Sequence, residues 1–291
     1  MRESILLPSE RMLEYFRTLC EYLNLPLLPY HIHKLLAALV FYQFLYIYLG
    51  PRISGWLAPK TYPNLRGRAT LDWNIHVVSM TMATFISCLA QYVVLFDEER
   101  KRMTPLERAY GYTDLSATTL AIANGYFVWH FVMMFIHIRV YGFGMFAHAC
   151  ATLFLMLNGF RPAFLTYGVA SYLYEWSNIT LNIHRALSKL KMEQTKLYVA
   201  NGIVLFIVFF FSRIIWGTYL TWWFYKDIWN AYVSAPPKGV EKLPTWLLVG
   251  HAASATMLQA LNFIWFFLIA RIFISRVCYK REKKWTSAED E

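Results

Sequence analysis

Residues 170–185 read ASYLYEWSNITLNIHR. They lie inside a long apolar run, yet they carry Glu175, Ser177, Asn178, Asn182 and His184. A polar or ionisable side chain in hydrocarbon costs free energy unless another group meets it, so such residues face a bundle interior or a wet cavity. Ser171, Glu175, Asn178 and Asn182 follow one another at intervals of four, three and four. On a helix those intervals set all four on one stripe, with Trp176, Ile179 and Ile183 on the next face. The stripe is expected to look at something polar: a His or Arg of another helix, a lipid headgroup, or water.

The rest of the chain says what surrounds that stripe. Of 291 residues, 57% are hydrophobic and 16% charged, and the mean hydropathy is +0.34. A soluble domain carries about 25% charged residues. The apolar excess runs along most of the length, which points to one embedded domain with short tails. A helix needs about 20 apolar residues to cross the hydrocarbon. Seven stretches approach that: 31–49, 74–96, 113–138, 144–160, 162–184, 200–225 and 245–275. The first is expected to end at Gly50-Pro51. The fold class that follows is all-α, a polytopic membrane helix bundle of about seven transmembrane helices.

The net charge of +10 is not one patch. Its cations sit between the apolar runs, for example Arg52, Arg66, Arg100, Arg185 and Lys189, with a dense group in YKREKK at 279–284. Cations that flank spans anchor to headgroups and set orientation. That distribution argues against nucleic acid as a partner and favours a cytosolic C-terminus. Cys20, Cys88, Cys150 and Cys278 form no CxxC pair, so neither a zinc site nor a disulfide framework is expected. Cys278 beside the basic tail is a candidate for palmitoylation. The N-terminal MRESILLPSERMLEYF is too charged to read as a signal peptide.

Further polar residues lie in the other runs: His76, His130, His137, His148, Arg213, His251 and Asn262. His130 and His137, seven apart, fall near one helical face. Two readings of the set stand side by side. In one, the polar groups join helices, with Glu175 paired to Arg213. In the other, histidines and a carboxylate serve proton transfer and acyl chemistry. No HxxxH or ExxH pair occurs, so no metal site is expected.

The order of landmarks resembles the TLC (TRAM–LAG1–CLN8) membrane domain. They are WNIHVVSM at 73–80, YGYTDLSATTLAIANGYFVWH at 110–130, FGMFAHACATLFLML at 143–157, YGVASYLYEWSNITLNIHRAL at 167–187, FFFSRI at 209–214 and LNFIWFFLIAR at 261–271. The resemblance gives a TLC domain over about 65–280, an N-terminal segment 1–64 with the first transmembrane helix, and a charged tail 281–291. It is nearest to the TLC-domain-containing branch, and more distant from the ceramide synthases. In the ceramide synthase pattern an adjacent His-His pair falls on His148 and Ala149, a distal His-Asp on Glu175 and Trp176, and a last Asp on Ile179. One histidine survives and both aspartates are replaced.

The branch implies a multi-pass protein of lipid homeostasis, in the endoplasmic reticulum or another endomembrane, that binds or regulates membrane lipids, sphingolipid or phospholipid. Ser171, Asn178, Asn182, Arg213 and His137 would contact the lipid. The ceramide synthase likeness implies the alternative, an N-acyltransferase using acyl-CoA. His148 would then be nucleophile or base, Glu175 its partner and His130 a proton relay. No cofactor is expected, acyl-CoA enters as substrate in the alternative only, and a homodimer is one arrangement of the exposed aromatic faces. A proton-coupled carrier and a structural scaffold are the remaining readings.

Overall fold

The computed structural model describes residues 8–161 and 163–289, with side chains described through residue 275. Pro162 and the side chains of Cys278 and of the YKREKK group lie outside that description. Among the described residues the chain is helical, without strands. We label α1 Glu10–Tyr22, α2 Ile32–Leu57, α3 Arg68–Phe96, α4 Asp114–Ile136, α5 Phe143–Asn158, α6 Leu165–Ser171, α7 Glu175–Lys189, α8 Lys196–Val233 and α9 Thr245–Ser275. Among the described residues five helices are long and apolar enough to cross a membrane: α2, α3, the segment Pro105–Ile136 that contains α4, α8 and α9.

The other two of the seven stretches fold differently. The fourth is α5, an apolar helix of 16 residues. The fifth is not one helix. Phe164 takes a left-handed conformation (φ 57°), α6 follows, a 3₁₀ turn occupies Tyr172–Tyr174, and only then does α7 begin. At 15 residues and 1.5 Å rise per residue, α7 is about 22 Å long, short of the ~30 Å hydrocarbon.

The first stretch departs from expectation in the opposite sense. Gly50-Pro51 does not end α2. A π-helical turn over Leu45–Leu49 precedes the pair, and the Gly50 amide reaches the Leu45 carbonyl. Pro51, which lacks an N–H, then stands in the first turn of a fresh helical segment, where no donor is required of it. The widened turn moves the ladder past the proline, and the helix runs on to Leu57. A Cβ on Gly50 would lie 2.6 Å from the Leu45 oxygen, so the turn needs glycine there.

α4 is the hub. Its Asn124 Nδ2 donates to the Met156 carbonyl of α5 at 3.1 Å, and Trp129 Nε1 donates to Gln43 Oε1 of α2 at 2.8 Å. Gly125 lets α2 come close, since a Cβ there would sit 2.6 Å from Ala38 Cβ and 2.7 Å from the Leu35 oxygen. Outward faces of α8 and α9 carry exposed Phe211, Trp222, Ile264 and Phe267, a surface that hydrocarbon covers without cost.

Candidate functional site

Arg213 organises the interior. It sits in a π-helical segment, Phe210–Ile215, within α8 and is buried. A π turn loosens the local backbone ladder, and Gln259 Nε2 of α9 approaches the Arg213 carbonyl at 3.3 Å. The guanidinium donates in three directions. Nε reaches Ser177 Oγ at 2.7 Å, Nη1 reaches Asn262 Oδ1 at 3.0 Å, and Nη2 reaches Asn178 Oδ1 at 3.2 Å. The Glu175 carboxylate is 3.9 Å from Nη2, beyond a direct bond, and Asn178 bridges the gap by donating to Glu175 Oε2 at 2.7 Å. Phe209 and Tyr174 lie beside the guanidinium, with ring centroids at 5.4 and 5.9 Å. A buried charge is tolerable only with such partners.

This cluster forms one wall of a cavity of about 110 Å³ enclosed by α4 to α9. A single water needs about 10–15 Å³ by the same measure, so the space holds several polar atoms or a short run of chain. Phe127, Phe164, Leu220 and Phe224 supply apolar wall, and His148, Tyr172 and His251 join Glu175 and Arg213 among the lining residues. Glu175 is the one carboxylate among the described lining residues.

His148 of α5 packs edge-on against Trp265, with centroids 5.3 Å apart. Its Nδ1 has no hydrogen-bond partner among the described residues. His251 donates or accepts at Nδ1 with the Leu247 carbonyl, 2.8 Å away, and its Nε2 is likewise without partner. The Tyr172 hydroxyl is a third such atom. All three belong to side chains that line the same cavity.

The structure brings together His148, Glu175, Arg213 and Ser171, which all line the cavity, with Asn178 one bond behind. It does not bring in the others. His130 stacks on Tyr126 at 5.5 Å and stands behind His148, with ring centroids 6.4 Å apart, outside hydrogen-bond reach. His137 is the residue just past Ile136 at the C-terminal end of α4 and is not among the residues that line the cavity. Asn182 turns to α3, where its Nδ2 donates to Ser79 Oγ at 3.1 Å. The stripe is thus split within α7: Glu175 and Asn178 meet α8, and Asn182, one turn further on, meets α3.

Ser177 lies off the stripe, yet it takes the shortest bond from Arg213. Gln259 joins His251 and Asn262 on the cavity side of α9, together with Ala255 and Leu258. These five positions follow a helical period, a signal the sequence carries. No group of three or more His, Cys, Asp or Glu able to hold a metal ion occurs among the described residues.

A family model described as the TLC domain matches residues 72–271, well over half of the chain. The chain belongs to the TLC-domain family. An uncharacterized TLC domain-containing protein of Schizosaccharomyces pombe is 31% identical over 254 residues, covering 87% of this chain and 82% of that protein. Topoisomerase I damage affected protein 4 of Saccharomyces cerevisiae is 25% identical, covering 83% and 84%. TLC domain-containing protein 4 of Homo sapiens is 27% identical, covering 80% and 86%.

Within this TLC domain, the positions that differ from the ceramide synthase pattern can be located. Ala149 is buried and contributes no polar atom. Trp176 and Ile179 do not line the cavity, whereas Glu175, one residue earlier, does. One residue on a helix turns a side chain by about 100°. The carboxylate of this chain therefore enters from a different direction than an aspartate at 176 would.

Proposed function

We propose that this multi-pass TLC-domain protein holds a membrane lipid by its polar group in the central cavity and regulates lipid composition in an endomembrane such as the endoplasmic reticulum. The observation that carries the reading is the set of unpartnered buried atoms, His148 Nδ1, His251 Nε2 and Tyr172 Oη, on side chains around one partly apolar space. A buried polar atom left unsatisfied costs about 1–3 kcal/mol. A guest with hydroxyl, amide or phosphate oxygens would relieve that cost, and the phenylalanine wall would accept the start of its chain. Arg213 and Glu175 supply a fixed dipole that orients the guest.

A second reading rests on His148 and Glu175 sharing the cavity. In an acyl-CoA-dependent N-acyltransferase, His148 would act as nucleophile or base and Glu175 would balance the charge it acquires.

Native mass spectrometry of gently purified protein tests both. Lipid binding predicts a noncovalent lipid on the wild type that Glu175→Gln loses, with no turnover of added acyl-CoA. An acyl adduct, or turnover that His148→Ala abolishes in a folded protein, selects the enzyme. The same lipid load on all three proteins, without turnover, contradicts both.

A further inference from the structure

A larger cavity, about 250 Å³, lies between α2, α3 and α7. It is amphipathic along its length. Toward the start of α3 and the end of α7 it is bordered by Asp72, His76, Arg185 and Lys189. One to two turns further along it is bordered by Val77, Met80 and Ile183, with Ile53 and Leu57 of α2 as the third wall. Trp73 Nε1 donates to Ser54 Oγ at 2.9 Å and ties α3 to α2. Opposite, Asn182 meets Ser79, Arg185 meets His76 and Lys189 approaches Asp72, so α7 and α3 run antiparallel in a fixed register.

The charged end is incompletely matched. Two cations share one carboxylate, and neither makes a direct bond to it: Arg185 Nη1 is 3.7 Å and Lys189 Nζ 3.5 Å from Asp72. Both cations are accessible, with 48% and 36% of their side chains exposed. Arg185 Nη1 instead lies 2.7 Å from His76 Nε2. A guanidinium only donates, so that Nε2 must accept. The same Nε2 is 3.2 Å from Asp72 Oδ1, a contact that is favourable only when Nε2 carries a proton. One nitrogen cannot serve both neighbours. An anion that drew Arg185 away would leave His76 Nε2–H free to donate to Asp72, and every group would then be matched.

We propose that this groove is a second lipid site, for an anionic lipid with an exposed phosphate. The phosphate rests on Arg185 and Lys189, and the acyl chain runs past Val77 and Met80 toward Ile183. Arg offers a planar fork that fits phosphate oxygens, and Lys adds a second charge. The cations lie near the first turn of α3 and the last turn of α7, at the end of the span where headgroups gather. The apolar length of the groove selects a lipid over a free phosphate ester. This site stands apart from the central cavity and does not depend on what that cavity holds.

The test uses the full chain in detergent, titrated with dioleoyl phosphatidic acid and read by native mass spectrometry. The wild type is expected to retain the lipid at least tenfold better than the double variant Arg185→Gln/Lys189→Gln. Met80→Trp, which fills the groove and keeps the cations, is expected to lose it as well, so a folding defect in the double variant does not decide the matter. Glu175→Gln, altered in the central cavity, is expected to retain it. Equal retention by wild type and Met80→Trp overturns the site. Equal retention of dioleoyl phosphatidylcholine overturns the charge selection, and displacement by equimolar glycerol 3-phosphate overturns the role of the apolar groove.

Discussion

Two arginine clusters in this protein, one around a half-buried Arg108 and one around the buried Arg213, use nearly the same groups to opposite ends. Arg108, in the short helix Pro105–Tyr110 before α4, donates from Nε and Nη2 to the two oxygens of Asp227 at 2.6 and 3.0 Å. Tyr167 donates to the same carboxylate at 2.5 Å. That is a bidentate pair with its aspartate almost fully buried. It clamps three separate segments at one end of the bundle, and every oxygen of Asp227 is used. Arg213, by contrast, keeps its glutamate 3.9 Å away, bridges to it through Asn178, and borders a cavity around which three polar atoms lack partners. A cluster that closes on itself holds the fold. A cluster that borders a cavity with polar atoms left over is arranged to meet something else.

The contrast can be broken most forcefully at the clamp. Asp227→Ala leaves Arg108 and Tyr167 facing an empty position, and the loss of one partner of a buried pair costs about 3–5 kcal/mol. We expect a marked fall in the melting temperature of the detergent-solubilised protein, with lipid load per folded molecule unchanged. A stable Asp227→Ala protein would remove the distinction.

Arg213→Gln is the next largest. It strands Glu175 and the amides, and we expect both a loss of stability of about 2–3 kcal/mol and loss of retained lipid. A melt unchanged from wild type would mean that the cluster is solvated rather than buried.

Glu175→Gln separates the effect on stability from the effect on lipid. The amide keeps the shape and still accepts from Asn178, so stability should change by less than about 1 kcal/mol while lipid retention falls at least tenfold. A large drop in stability with lipid retained would move this cluster into the same class as the clamp.

The smallest effect concerns His31, at the entrance to α2. Its Nε2 lies 2.9 Å from the Tyr112 hydroxyl, and burial lowers its pKa to about 4 from the ordinary value near 6.5. The folded state therefore favours the neutral ring. The stability this confers is complete above the ordinary pKa and is lost as the pH falls from there toward 4. The melting temperature of the wild type should drop more steeply over that interval than that of His31→Gln. Parallel curves would show that the ring is not buried in its neutral form.

Much of this was legible in the sequence. Apolar runs and sparse charge gave an all-helical membrane bundle, and the intervals between Glu175 and Asn178 identified a polar face. What was hidden lay in the packing partners and in one turn. Within the single helix α7, Glu175 serves α8 while Asn182, two turns on, serves α3. Periodicity gives the polar face but not which neighbour each turn of that face meets. Gly50-Pro51 reads as a helix end in the sequence, yet a π turn admits proline without ending the helix. His137 shares a face with His130 on paper, but the helix ends between the site and the residue.

If a lipid completes the Glu175–Arg213 cluster, as proposed, Glu175→Gln alone should release it. The most direct measurement is native mass spectrometry of wild type, Glu175→Gln and the clamp variant Asp227→Asn, each purified in the same mild detergent. Wild type and folded Asp227→Asn should each carry one bound lipid more than Glu175→Gln, which keeps only what the α2–α3–α7 groove retains. Lipid on all three at equal occupancy, or on none of them, would contradict the proposal.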